Sequence, residues 1–363
     1  MKFLGKKWIR IGSSKKGLDE FPEKEAVIWD RRISFEKRAA KENISEAEVM
    51  TLLDYENYFR LSGAVKPGGE HEIVQILLHA GFVFKRGGRL NISNMGAILL
   101  ARNLADFRNL SDKGIRIITY RGVNKLHAIK DEIFYEGYAV CFQKVVDYIR
   151  SQIPEPEKIE GAFRTTPPNY PINSIREFVA NALVHQDFAI LGSPPLVEIF
   201  ENRIEIANQG APLIEPNRFI DLPSKARNDL LADAMRIMKI CEKRGSGVGR
   251  AIHAIEVSQL PPPKIEGGEE RNSVKVTIYS HKELRLLTRE EQCRACYFHS
   301  CIRAVVDREN LTNASLCARL AIEAKNSAIA SRIIKDTLEK GWIKKFDPDN
   351  KSHRYAQYVP FWA

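Results

Sequence analysis

The chain has 363 residues, enough for two or three domains around a sizeable core. Hydrophobic residues make up 44% and charged residues 28%, and no apolar run approaches the roughly 20 residues of a membrane span, which argues against membrane insertion. The formal charge of +10 fits an anionic partner, and Met1 to Trp8 lacks the apolar core of a signal peptide, which predicts a cytoplasmic location.

In chain order, the start carries six Lys or Arg and no acid up to Lys16. Its basic run reads either as an anion-binding arm or as a solvated, frayed terminus. Lys7 to Ser14 alternates as a strand entering a turn, and Phe21 to Trp29 is expected to open a helix with Pro22 in its first turn. Ile73 to Leu78 is helical, and Phe82 to Ile92 forms a hairpin around Gly87-Gly88. Asn94 to Ala101 gives a second apolar helix. Gly114 to Tyr120 is a strand and Tyr138 to Ile149 an amphipathic helix. Pro154, Pro156, Pro167 and Pro168 then punctuate the way to a helix that starts near Pro171.

The stretch from Pro171 to Phe188 carries the chemistry. Ile175, Phe178, Val179, Ala182 and Leu183 recur at helical spacing and mark a buried face. Glu177, Asn181 and His185 stand four apart, so they line one side of the same helix. An amide oxygen one turn from a carboxylate can ligate Mg²⁺ while the carboxylate polarises a water. The same residues allow a plainer reading: Ser174-Ile175-Arg176-Glu177 is a capping box with Ser174 as N-cap.

Leu196 to Asn208 then reads as a hairpin, with Val197, Ile199, Ile204 and Ile206 facing inward and a turn near Glu201-Asn202. It ends in Asn208-Gln209-Gly210. Lys225, Arg227 and Asn228 precede a helix with a Leu230, Leu231, Ala234, Met235 and Met238 stripe; they reach either a phosphate or the solvent around a capped helix start. Glu242 to Arg250 holds Gly245, Gly247 and Gly249 before an apolar helix. Such a loop either cradles phosphates with its N–H groups or only makes a turn. Ser273 to Tyr279 supplies a further strand, and Ser280 to Thr288 a linker.

The C-terminal stretch predicts three helices: Arg289 to Asp307, a second after Thr312, and a third over Ser327 to Lys340. Two short strands flank Asp347 to Ser352, which together make a winged helix. Lys325, Asn326, Ser327, Arg332 and Lys335 on the third helix, with Lys351 and Arg354 on the wing, suit phosphates and bases. From Lys325 to the end, eight Lys or Arg stand against four acids. The unit serves either as a DNA contact or as a dimerisation module. Cys293, Cys296 and Cys301 with His299 lie inside the first of these helices without a second knuckle; buried packing is expected rather than zinc. No Gly-x4-Gly-Lys-Ser/Thr occurs, which argues against a P-loop helicase.

The order of Glu-x3-Asn helix, hairpin ending near a glycine, and glycine-rich lid resembles the GHKL, or Bergerat-fold, ATP-binding module. More closely, the chain from Lys7 to Ala363 resembles a family of transcriptional regulators. Its members pair that module with an AlbA-like, Schlafen-related N-terminal domain and are also described as RecG-related helicases. The resemblance implies an α+β protein: a GHKL-like α/β sandwich with a partial AlbA-like N-terminal domain and a C-terminal winged helix. The boundaries would be 1–66 for the partial AlbA-like region, 67–110 for a connector, 111–280 for the ATP-binding domain and 288–363 for the winged helix. Only the closing half of the AlbA-like domain is matched, so a truncated domain is expected.

By the same resemblance, Glu177 would position water, Asn181 would hold Mg²⁺, and Asn208 and Gly210 would form the adenine-contacting box; His185, on the same helix stripe, is expected to join the nucleotide pocket. Gly245, Gly247 and Gly249 would match the phosphate lid, and Arg244 beside them is expected to bind the nucleotide. Active members carry an aspartate where Asn208 stands; its amide oxygen can still accept from an adenine amino group, but without charge. The expectation is ATP·Mg²⁺ binding coupled to DNA, with dimerisation among the states it biases and a role in phage defence implied by the resemblance alone. The alternatives are a slow ATPase with Glu177 as general base, and a structural DNA-binding or dimerisation protein with a decayed pocket.

Overall fold

A computed structural model describes residues 2–3, 6–11, 14–21, 34–153, 170–223, 225–241, 247–268, 270, 272–349 and 356–363. The helix expected from Pro22 onward and the proline-punctuated run 154–169 lie outside these residues. So do Arg244, Gly245, Lys351 and Arg354.

The protein is α+β. Strands β1 (Lys2–Phe3), β2 (Lys6–Ile11) and β3 (Ser14–Gly17) form an antiparallel sheet. Next come β4 (Ala39–Ile44) and helices α1 (Glu46–Leu52), α2 (Tyr55–Ser62) and α3 (Glu70–His79). The hairpin β5 (Val83–Arg86) and β6 (Arg89–Ser93) turns at Gly87 and Gly88, both at positive φ, as the tightest hairpin turn requires. β6 also pairs with β4, so this hairpin is the centre and one edge of a three-stranded sheet. Helix α4 (Asn94–Leu100) comes after it and is entirely buried.

The larger sheet has six strands. β7 (Ile115–Tyr120) and β8 (Ala128–Phe134) form one end. After α5 (Tyr138–Gln152) and α6 (Ile172–His185) come β9 (Leu196–Phe200) and β10 (Arg203–Gln209). Helices α7 (Asp229–Ile237) and α8 (Gly247–Val257) precede β11 (Lys264–Gly268) and β12 (Ser273–Tyr279). The order is β11-β12-β10-β9-β7-β8, with β7 parallel to β9 and every other pair antiparallel. Ile117, Val197, Ile206 and Val276 pair across neighbouring strands and are buried, so they make one inward row. Helices α5 and α6 pack on this face, and α6 packs against α8.

The C-terminal part contains α9 (Arg289–Ile302), α10 (Asn313–Arg319) and α11 (Ala328–Glu339), then the ribbon β13 (Ile343–Lys345) and β14 (Tyr358–Pro360). A π-helical turn, Arg303–Asp307, replaces the last turn expected of the first helix. Thr288 and Thr312 cap α9 and α10 through their side chains. Cys293, Cys296 and Cys301 are buried, and no cluster of metal-ligating side chains occurs among the described residues. One continuous core runs from Ile44 through the sheet to Ile343. No helix among the described residues is long and apolar enough to cross a membrane.

Candidate functional site

Helix α6 begins earlier than a Ser174 cap would allow. Pro171 is its N-cap, with a fixed φ of −66° suited to that entry. Ser174 is the third helical residue and fully buried, and its hydroxyl donates to the Ala251 carbonyl of α8 at 2.7 Å. The capping-box reading is therefore corrected: Ser174 ties α6 to α8, and Glu177 is released from capping. Glu177 faces inward instead, and Oε1 accepts from Asn181 Nδ2 at 3.0 Å. The carboxylate and the amide one turn on thus form a unit, in which Asn181 Oδ1 is the amide's acceptor.

Gly247 closes on this pair. A Cβ at that position would lie 1.8 Å from Glu177 Oε1, so any side chain there would push the carboxylate aside. Gly249 is different: its added Cβ would meet only Ile220 Cγ2 at 3.8 Å, an ordinary contact. The glycine requirement in α8 belongs to Gly247.

Across from α6, the inward row of β10 continues from Ile204 and Ile206 to Asn208. Asn208 is buried, and its Nδ2 donates to the Gln209 carbonyl at 3.0 Å, which orients Oδ1 as the remaining acceptor. Gly210 comes two residues later at φ +105°, and an added Cβ would lie 2.9 Å from Arg227 Nε and 3.0 Å from Asp187 Cβ.

Glu177, Asn181, His185, Asn208, Gly210 and Gly247 line one cavity of about 120 Å³, floored by Ile206, Val274 and Val276. That is several times the roughly 10–15 Å³ that one water needs. Burial, and then the charge of Arg227, hold the His185 imidazole below its ordinary pKa of 6.5, which favours a neutral ring.

A clasp not anticipated from the sequence fixes the strand end that carries Asn208. Gln186 is buried; its Oε1 accepts from Gln209 N at 3.0 Å and its Nε2 donates to the Ser193 carbonyl at 2.8 Å. Asp187 N donates to the Gln209 carbonyl at 2.8 Å. Asn228, whose side chain does not cap α7, donates to the carbonyls of Val184 and Gln186, each at 2.8 Å. Arg227 donates to the Ala211 carbonyl at 2.6 Å and pairs with Asp187 at 3.5 Å. The only sequence signal was the polar run His185-Gln186-Asp187 immediately after an apolar helix. Lys225 does line the cavity.

The positions expected to meet DNA lie elsewhere. Arg332 and Lys335 are exposed one turn apart on α11, and Lys325 is exposed beside Glu323 at 2.6 Å. Asn326 is exposed, and the Ser327 carbonyl accepts from Asn313 Nδ2 at 3.1 Å.

The decisive comparison is local. Residues 192–278 match a family described as "Putative ATP-dependent DNA helicase recG C-terminal". That span is similar to an ATPase-like domain and contains Asn208, Gly210, Gly247 and Gly249. Glu177, Asn181 and His185 precede it and join the site through geometry. No curated protein matches the chain. Among solved structures, the chain is similar to the DIP2311 protein from Corynebacterium diphtheriae, with a TM-score of 0.52 and 13% identity over 98% of this chain and 75% of that one. That likeness is one of fold.

Proposed function

We propose that the cavity between α6, α8 and β10 binds ATP with Mg²⁺, and that the C-terminal unit is a winged helix that binds DNA under nucleotide control. The observation that carries this reading is the Glu177–Asn181 pair closed over by Gly247 within the cavity that Asn208 lines. Asn181 Oδ1 and the Glu177 carboxylate are hard oxygen donors of the kind that Mg²⁺ takes alongside waters and phosphates. When bound, the ion would neutralise phosphate charge. The chain's own residues would do the rest. Asn208 Oδ1 accepts from an adenine amino group, Val274 and Val276 give the ring an apolar floor, and Gly247 lets backbone approach the phosphates. Residues 111–280 would form this module, and 288–363 the winged helix.

Glu177 sits where a general base would receive a proton from water. A slow ATPase is thus the second reading, favoured by the inward carboxylate, and Glu177→Ala would abolish turnover while sparing binding. Arg332 and Lys335 on α11, with Lys325, would meet DNA phosphates and base edges. Nucleotide would shift DNA affinity only by binding one arrangement of the protein better than another.

Calorimetric titration of ATP and Mg²⁺ into the protein tests the reading. Binding that disappears in Asn181→Ala supports it. Absence of wild-type binding at millimolar ATP would leave a structural protein with a decayed pocket.

A further inference from the structure

A second, larger depression adjoins the cavity. It measures about 660 Å³ and shares Glu177 and Gly247 with the first site as a common wall. Its rim is strongly basic: Arg176 of α6, Arg236 and Lys239 at the end of α7, and Arg250 of α8. The carboxylate on its own wall is Glu177, and Asp233 reaches Arg236 at 2.6 Å. Among the described residues, cation charge therefore exceeds anion charge around the groove, where a multiply charged anion would be held by several charge-assisted hydrogen bonds at once.

Two features point to a groove shaped for a ligand rather than a stretch of ordinary surface. Arg176 is held in place at the rim: its guanidinium lies 5.0 Å from the centroid of the Phe142 ring and Nη1 donates to Gln143 Oε1 at 2.9 Å. Lys239 is held in the left-handed region, φ +58°, immediately past the helix end. This is the C′ position, where glycine is the low-cost residue. Its N–H donates to the Arg236 carbonyl at 3.0 Å, which locks the bend and carries the lysine to the groove. A strained non-glycine residue at a functional rim is a common sign that its side chain is needed.

We infer that this groove receives the oligophosphate tail of the nucleotide, with Arg236 and Lys239 as its specificity-determining cations. The inference rests on the nucleotide reading of the adjoining cavity. Base recognition at Asn208 and tail recognition at Arg236 and Lys239 would then meet along the shared Glu177 and Gly247 edge. The site would prefer triphosphates to monophosphates.

The test is calorimetry of ATP, AMP and inorganic tripolyphosphate against the full chain and the variants Arg236→Gln and Lys239→Gly. The wild type should bind ATP at least about tenfold tighter than AMP, and should bind tripolyphosphate. Each variant should lose about tenfold in ATP and tripolyphosphate affinity, as expected for one charge-assisted hydrogen bond, with AMP affinity little changed. Lys239→Gly should melt no lower than the wild type, because glycine suits that bend, which separates a lost contact from a damaged fold. Equal wild-type affinity for ATP and AMP overturns the inference and leaves the nucleotide reading standing. Variants that bind ATP like the wild type overturn it too. Tripolyphosphate binding that is lost in the variants, with no nucleotide bound by any form, overturns the inference together with the nucleotide reading and leaves an oligophosphate site. No binding of either ligand by the wild type overturns both.

Discussion

The two ends of helix α8 use the same ingredients in opposite settings. At its start, Gly247 touches Glu177 between two open depressions, one of them rimmed by Arg176, Arg236, Lys239 and Arg250. At its end, Glu256 is buried with His299 of α9 and Arg319 of α10. Its Oε1 bonds His299 Nδ1, and its Oε2 lies 3.6 Å from Arg319 Nε. Arg319 also donates to the Leu260 carbonyl at 2.8 Å. Burial holds the Arg319 guanidinium below its usual range, with Glu256 pulling against that shift. Where water has access, charged side chains can exchange partners with a ligand. Where water is excluded, the protein must pair its own charges. The buried end joins α9 and α10 to α8, and the open end meets the cavity, so one helix touches both parts of the molecule.

The largest expected effect breaks the closed end. Glu256→Ala leaves Arg319 buried without its carboxylate and should destabilise the protein by about 3–5 kcal/mol in a denaturant titration. A loss under about 1 kcal/mol would mean that the triad is solvated. At the open end, Gly247→Ala drives a methyl group into the movable Glu177 carboxylate, so it should displace the carboxylate and weaken nucleotide binding while changing stability by less than about 1 kcal/mol. Unchanged nucleotide binding would contradict the close approach. Lys239→Gly relieves a left-handed lysine and should raise stability by up to about 1 kcal/mol. A fall would show that the side chain packs instead.

The mildest effect is one of pH. The folded-state pKa of His185 lies below the ordinary 6.5, so the folded protein prefers the neutral ring. Its contribution is complete above about pH 6.5 and is lost as pH falls from there through the depressed folded value. Melting temperatures measured between pH 5 and 7.5 should decline on the acid side, and His185→Gln should flatten that decline. An identical slope in the variant would assign it to other groups.

Much of the open end was legible in the sequence. Apolar residues at helical spacing defined α6, and the same periodicity put Glu177, Asn181 and His185 on one side. Strict alternation fixed the β9–β10 hairpin and turned Asn208 inward. Local patterns failed where the partner was remote or the signal ambiguous. Ser174 sits in a Ser-x-x-Glu pattern, yet its hydroxyl satisfies the Ala251 carbonyl, a bond between helices that no spacing encodes. Strand β8 is largely exposed, with Lys130, Asp131 and Glu132 in succession, so it lacks the alternation that marks a half-buried strand. Strand β11 ends in Gly267-Gly268, residues that read as a turn. The Glu256–His299–Arg319 cluster draws on three separate helices, and the groove cations on three as well. Each of those residues alone looks like ordinary helix-surface charge.

The most direct measurement of the central claim is a crystal structure with a non-hydrolysable ATP analogue and Mg²⁺. The account predicts the adenine against Val274 and Val276 with its amino group at Asn208, and the phosphates passing Gly247 toward Arg236 and Lys239. An empty cavity, or a nucleotide bound away from Glu177 and Asn208, would contradict it.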